Sequence, residues 1–374
     1  MPDIKHYQGR EQGYIKHALI ERYLEPFTIK IGSKWDEIVF IDAFAGPWGA
    51  QSDDLSDTSF GIALERLARG LQVLRDVHKR SPRIRAYLIE KTPEAFRKLD
   101  AFGQRHQAKG IDVECLSGEF EDHVPILERL TRAERTFLFS LIDPKGWTGL
   151  SMAVIAPLIR RRSSEVLVNV MSSFVHRFAD VDHCQESYDD YFGRPGVREI
   201  ITSAAHEDRQ DVVVREYCRS LRHLCGYQHV SSCVILEPDK KGIKYFMVFA
   251  TNDPMGIKVF KEAEAHAAAL QDEMKHAKEF GDQMPLFSAG SVVRVSESLR
   301  RKYRMLAFAR VDELFQKRAM VPYVEVFCKA MAMPLVTENE LLEYLRSHQS
   351  LTVSLESSRR LKPSIQKNDT VVKI

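Results

Sequence analysis

Two stretches of this sequence end a buried run with an acid and then turn sharply. The first is Ile38-Val39-Phe40-Ile41-Asp42-Ala43-Phe44-Ala45-Gly46-Pro47-Trp48-Gly49, four apolar residues followed by an aspartate and a glycine-bearing loop. The second is Phe137-Leu138-Phe139-Ser140-Leu141-Ile142-Asp143-Pro144-Lys145-Gly146-Trp147. Strands of this kind in an open α/β sheet deliver their last side chains to the carboxyl edge, where ligands bind. The pattern predicts a nucleoside-containing cofactor gripped at that edge, with chemistry beside it.

The first loop lacks the Gly-Lys-Ser/Thr end of a phosphate-binding P-loop and is not GxGxxG. Its D-x-F-x-G-x-x-G form, running from Asp42 through Phe44 to Gly49, fits close backbone approach to an amino-acid-bearing nucleoside such as S-adenosylmethionine. Gly46 and Gly49 allow that approach or a positive φ, and Asp42 is placed to take an ammonium directly or through water. Glu90, at the tip of the second expected strand, stands where a ribose diol is bound. Ser117-Gly118-Glu119-Phe120 follows the third strand and is placed to meet an adenine. For Glu90 and Glu119 the plainer alternative is a solvated acid at a strand end.

Asp143-Pro144-Lys145-Gly146-Trp147 occupies the position where amino-group methyltransferases carry Asp-Pro-Pro-Tyr. There the carboxylate and the proline carbonyl hold an exocyclic amine and the aromatic ring stacks on the base, so orientation and charge stabilisation do most of the work. Here Lys145 replaces the second proline and the aromatic comes one residue late. Trp147 has the alternative of capping the core. Lys16 and His17 lie beside the apolar face of an expected N-terminal helix, and spacing alone reads His17 as structural. Asn169 and Arg177 fall near the expected catalytic edge, while Asn252 has the option of bonding a turn backbone.

The 374 residues are 44% hydrophobic and 28% charged, ample for a core in one large domain or two. The formal charge is only +2, so no global field points to a nucleic acid. Its distribution does offer a hint, since residues 291–374 carry 15 Lys and Arg against 9 Asp and Glu, a local +6 on a body of −4. A basic tail suits a polyanion or is simply a solvated surface. The six cysteines form no CxxC pair and read as reduced thiols. Cys218, His223, Cys225, His229 and Cys233 crowd one region, but their spacing matches no zinc finger or ribbon, so no metal is expected. The N-terminus has no apolar signal core and no run reaches membrane-spanning length, so the expectation is a cytoplasmic protein without a membrane partner.

Around these residues the elements alternate. A helix is expected over Tyr14–Leu24, stopped by Pro26, then strands at Ile38–Ile41, Ile84–Ile89, Ile111–Leu116, Phe137–Ile142 and Val166–Val170. Helices are expected at Phe60–His78 after a cap at Ser59, Pro93–Phe102 and Ser151–Arg162. Val230–Leu236 and Lys244–Ala250 are joined too briefly for a parallel crossover and form an antiparallel pair. Five parallel strands with a late hairpin is the Rossmann-like layout of class I methyltransferases, with residues 177–228 as a helical insertion over the catalytic edge. The expected division is a methyltransferase-like α/β domain over 1–283, a linker at 284–290 and a small C-terminal domain over 291–374. Short helices followed by short strands there suit a winged helix, or a helical appendage that only packs on the body.

With these pieces in line the chain resembles the three-Cys-motif partner (TcmP) family of bacterial and phage proteins. The resemblance runs through Lys16-His17, Phe40-Ile41-Asp42-Ala43-Phe44-Ala45-Gly46, Ile142-Asp143-Pro144-Lys145-Gly146-Trp147-Thr148-Gly149-Leu150, Asn169-Val170-Met171 and Phe249-Ala250-Thr251-Asn252. Together these span roughly residues 14–260. The chain departs from the family at Lys145, where an aromatic is usual, and near Trp48, where a second glycine is usual. The resemblance implies a methyltransferase-like fold and a protein partner bearing three cysteines. A looser similarity to ribosomal RNA adenine-N6 methyltransferases with an N-terminal Lys-His helix implies that Lys16 and His17 lie near the cofactor or the target base. The leading expectation is therefore an S-adenosylmethionine-dependent methyltransferase acting on an amino group of a nucleic-acid base. The alternative is a non-catalytic scaffold that works with a partner protein.

Overall fold

The structure is a computed structural model of the chain and describes residues 4–7, 9–106, 110–147, 150–237, 242–280, 297–354 and 369–373. The expected linker at 284–290 and the residues Thr148 and Gly149 lie outside the described residues. Two compact units emerge, one made of residues 1–230 and 234–267, the other of residues 231–233 and 268–374.

The first unit opens with α1 (Glu11–Gly32), β1 (Glu37–Asp42), α2 (Ser59–Asp76), β2 (Arg83–Glu90), α3 (Pro93–His106) and β3 (Asp112–Ser117). It continues with α4 (Phe120–Leu130), β4 (Thr136–Ile142), α5 (Met152–Ile159) and β5 (Ser164–Val170). Four helices follow, α6 (Ser172–Phe178), α7 (Gln185–Phe192), α8 (Val197–Thr202) and α9 (Arg209–His223), before β6 (His229–Leu236), β7 (Ile243–Thr251) and α10 (Pro254–Phe280), of which residues 231–233 and 268–280 belong to the second unit. The sheet order is β3-β2-β1-β4-β5-β7-β6. Strands β1 to β5 pair in parallel and β7 runs antiparallel to β5. This is the class I methyltransferase arrangement. Strands β4 and β5 are buried at every residue and are mostly apolar, as strands covered on both faces are.

Helix α1 does not stop at Pro26, which sits inside it. Proline removes one backbone hydrogen bond and crowds the preceding turn, yet Leu24, Phe27 and Thr28 are buried on either side of it. Phe27 packs on Phe139 of β4, with ring centroids 5.1 Å apart. Tertiary burial on both flanks outweighs the local penalty. Thr58, not Ser59, caps α2, its Oγ1 accepting from the Gly61 amide at 3.1 Å. Asn252 binds turn backbone, as its type allows, accepting from Gln228 N at 3.0 Å.

The second unit contains α11 (Glu297–Lys317), β8 (Met320–Pro322), α12 (Tyr323–Met331), α13 (Glu338–Ser347), β9 (Leu351–Ser354) and β10 (Thr370–Lys373). Its sheet is antiparallel with β10 in the middle. Helix–strand–helix–helix–strand–strand is the order of a winged helix. A Thr337–Glu340 capping box starts α13. In the basic run of α11, Arg300 pairs with Asp272 at 3.0 Å and Arg304 lies 3.4 Å from Glu340. Tyr303 is buried and anchors the helix, whereas Leu306 is 42% exposed and does not.

Far from the carboxyl edge, Glu165 is buried at the start of β5 and accepts from Tyr23 Oη at 2.5 Å and from Thr251 Oγ1 at 2.8 Å. Burial pushes its carboxyl up to about 7, against those two hydrogen bonds. The folded chain therefore keeps this proton where the unfolded chain has released it. Its stabilising contribution is complete below the ordinary carboxyl value and is lost as pH rises through about 7. Asp42 acts in the same direction. Urea titrations from about pH 5 to pH 8 should show stability falling by roughly 2–3 kcal/mol per such group. Glu165→Gln should flatten that fall, and an unchanged slope would remove Glu165 as its source.

Candidate active site

The strand register sets three carboxylates in a row. Asp42 is level with Leu88 of β2 and Leu141 of β4, so Glu90 and Asp143 each stand two residues further out on the neighbouring strands. Adjacent strands are about 4.8 Å apart, which brings three acids to one edge. Asp42 is fully buried, accepting from Phe44 N at 3.1 Å and Ser59 Oγ at 3.0 Å. Burial raises its carboxyl to about 7, helped by the Asp143 charge and opposed by those hydrogen bonds. Ser59, read from sequence as a helix cap, has this second task, and two consecutive hydroxyls at residues 58 and 59 were the signal for it.

The loop after β1 is held against β2 by a bond from Ala45 N to Ile89 O at 2.8 Å. A Cβ on Gly46 would stand 1.9 Å from Trp48 Nε1 and 2.2 Å from Glu90 Oε2, so only glycine fits there. Gly49 has φ of +70°, and a side chain there would also meet the Arg10 guanidinium at 2.7 Å. Glu90 is 5% exposed, with Oε1 accepting from Thr92 N at 2.6 Å and Oε2 against Gly46. It is no solvated strand end. A cleft of about 760 Å³ adjoins the same loop, lined by Pro47, Gln51, Asp53, Leu55, Lys98 and Arg105. None of the three acids lines it.

Asp143 is held from both sides. Lys16 Nζ of α1 donates to Oδ2, and Asn169 Nδ2 donates to Oδ1 at 2.8 Å. Pro144 is buried behind it. Lys145 swings over the first loop, its Nζ 3.3 Å from the centroid of the Trp48 ring. Burial lowers the Lys145 pKa, opposed by the Glu90 charge. This contact joins the loops after β1 and β4, and no local sequence signal announces it.

Four expected site residues sit elsewhere. Trp147 is 5% exposed and packs against Tyr188 and Tyr191 of α7, with centroids 4.8 and 5.8 Å away. With its faces covered it caps the core and does not stack on an acceptor. His17 is buried, shares a 2.7 Å hydrogen bond with Tyr7 Oη, and has its pKa driven well below the usual range by burial and by the Lys16 and Arg10 charges. Tyr7 Oη also donates to Asp57 O at 3.2 Å, so His17 is a neutral strut for the first loop. Glu119 is an exposed acid paired with Lys91 at 3.1 Å, the plainer of its two readings. Phe120 is buried at the start of α4, 6.1 Å from the Phe44 ring; the two phenyls pack the floor beneath the edge. Among the described residues no group of three or more His, Cys, Asp or Glu is placed to hold a metal ion, and no helix is long and apolar enough to cross a membrane.

No family model and no curated protein matches the chain. Among solved structures it is similar to an O-methyltransferase from Bacillus cereus in complex with SAH, at 14% identity over 62% of this chain and 80% of that one, with a TM-score of 0.33. It is also similar to the O-methyltransferase TomG from Streptomyces achromogenes in complex with SAM, at 16% identity over 62% and 79% of the two chains and a TM-score of 0.31. A third is TYW2 from M. jannaschii in complex with AdoMet, at 12% identity over 64% and 75% and a TM-score of 0.31. At such identities the likeness concerns the fold alone. The assignment to the class I methyltransferase fold rests on the strand order and directions of this chain's own sheet.

Proposed function

We propose that this protein is an S-adenosylmethionine-dependent methyltransferase acting on an amino group of a nucleic-acid base. The observation that carries the reading is the row Glu90, Asp42 and Asp143 at the carboxyl edge, with a glycine cradle at its centre. The cofactor fits these residues. Gly46 lets Trp48 and the Glu90 carboxylate close directly on the loop backbone, Glu90 offers a shielded carboxylate to a hydroxyl pair, and Asp42 offers a buried carboxyl that an approaching ammonium would ionise. When bound, S-adenosylmethionine supplies an electrophilic methyl group. Asp143, with Pro144 beside it, orients the acceptor nitrogen, and Asp143 is the base placed to hold the proton that nitrogen sheds. Lys16 and Asn169 fix the carboxylate beforehand, so its rotamer entropy is already spent before the acceptor arrives.

The nucleic-acid part of this reading draws on the basic residues 291–374 and the winged-helix order of the second unit. One observation favours the rival, a partner-dependent scaffold of the three-Cys-motif partner type. The aromatic of the acceptor motif, Trp147, is enclosed, and Lys145 rests on Trp48.

Calorimetry with S-adenosylmethionine and S-adenosylhomocysteine separates the two. The methyltransferase should bind both; Glu90→Ala should lose about 1–3 kcal/mol of affinity, and Gly46→Val should not bind while keeping its circular dichroism. Binding of neither compound by the natural chain would favour the scaffold. Asp143→Ala should still bind S-adenosylhomocysteine yet transfer no radiolabelled methyl to pooled RNA and DNA; transfer at the natural rate would remove Asp143 from the acceptor site. In filter binding, log affinity for nucleic acid should fall linearly with log salt. Arg301→Gln should lower the slope by about one unit on every sequence tested alike, and a flat salt series would sink the nucleic-acid assignment.

A further inference from the structure

Asn169 carries a feature that the grip on Asp143 does not account for. It stands at the end of β5, 5% exposed, across from Asp143 in the register. Its Nδ2 donates to Asp143 Oδ1 at 2.8 Å. A carboxylate only accepts, so the amide must turn its NH₂ toward Asp143 and its oxygen away. That Oδ1 is buried and has no hydrogen-bond partner among the described residues. Buried acceptors are rarely left unmet in folded chains, and those that are call for an explanation.

A second amide oxygen is in the same condition nearby. Gln12 Oε1 is buried without a partner among the described residues, and Gln12 lies one turn before Lys16, on the face of α1 that reaches Asp143. Tyr245 Oη donates to the Gln12 carbonyl at 3.2 Å. Tyr245 is two residues from Met247, the residue paired with Asn169, so both point to one face of the sheet. Two unmet amide acceptors therefore sit on the elements that reach Asp143, α1 and β5, and an N–H-bearing ligand held by Asp143 satisfies the one on Asn169.

We propose that Asn169 is a specificity-determining residue that selects a primary amino group as the methyl acceptor, its Oδ1 taking one N–H while Asp143 takes the other. A primary exocyclic amine brings two N–H bonds. A hydroxyl brings one, and so does a nitrogen that already carries a methyl group, and either would leave the buried Asn169 oxygen unmet. The site thus favours first methylation over second and nitrogen over oxygen. This rests on the reading of Asp143 as the acceptor-holding group and adds to it the class of acceptor and the extent of its methylation.

The test is equilibrium binding, independent of turnover. Adenosine, cytidine, and their N-methyl and N,N-dimethyl derivatives at the exocyclic nitrogen are titrated into the full-length chain saturated with S-adenosylhomocysteine, followed by ligand-observed nuclear magnetic resonance. In the natural chain the first methyl should weaken binding about tenfold. In Asn169→Leu that first-methyl penalty should vanish while S-adenosylhomocysteine binds as before. Asn169→Ser, which retains a polar side chain too short to reach both partners, should also lose the penalty and guards against a folding defect in the leucine variant. Equal binding across a series, no binding of any nucleoside, or a penalty that survives both substitutions would overturn the inference. A chain that binds S-adenosylhomocysteine but ignores the methyl series fails this inference alone, whereas one that binds no S-adenosylhomocysteine fails the underlying function as well.

Discussion

Helix α1 supplies the partners that let acids sit on a buried sheet. Tyr23 donates to Glu165 at the start of β5, and Lys16 donates to Asp143 just past the end of β4. From Tyr23 onward the helix packs its aromatic rings on the sheet, Tyr23 against Phe139 and Phe249 and Phe27 against Phe137 and Phe139. It is tied to α2 through Arg66, which pairs with Glu21 and with Glu25, the latter at 3.1 Å. A buried carboxyl without a partner is costly, so one helix spanning both edges solves the problem for structure and site together. Its continuation through Pro26 follows from packing, since Phe27 beyond the proline is buried against Phe137 and Phe139.

At the carboxyl edge the three acids differ because their surroundings differ. Asp42, on the central strand, loses its water entirely and leans on a backbone amide and the Ser59 hydroxyl. Glu90 keeps one oxygen on Thr92 N and presents the other toward the glycine loop. Asp143 has a cation and an amide fixed upon it. One edge therefore carries three acids of unequal character. The Lys145–Trp48 contact then joins the loops that follow β1 and β4.

The insertion after β5 encloses Trp147. Tyr188, Tyr191, Phe192 and Tyr217 form an aromatic cluster of their own, and Trp147 completes it. Burying a large ring there gains more than leaving it in water. In the second unit, likewise, Arg300 and Arg304 answer nearby acids before any outside polyanion. Both cases show residues whose type suits a ligand being claimed first by their own chain.

What the sequence by itself determined is everything governed by short-range rules. Apolar runs ending in Asp42, Glu90 and Asp143 specified strands and the acids at their tips, and the loop glycines specified close approach, because alternation and turn chemistry act over a few residues. Parallel order with a late hairpin was legible because a short connection admits only antiparallel neighbours. The tertiary structure alone decided which way side chains turn and who meets them. Lys16 and Asp143 are 127 residues apart, and Tyr23 and Glu165 are 142 apart; no local pattern encodes such pairs. The same holds for His17 as a neutral strut, for Glu119 as a solvated acid, and for Asn169, whose oxygen becomes informative only once its nitrogen is seen to be spent on Asp143. Secondary structure follows from local preference, whereas partnership depends on which surfaces the folded sheet brings together.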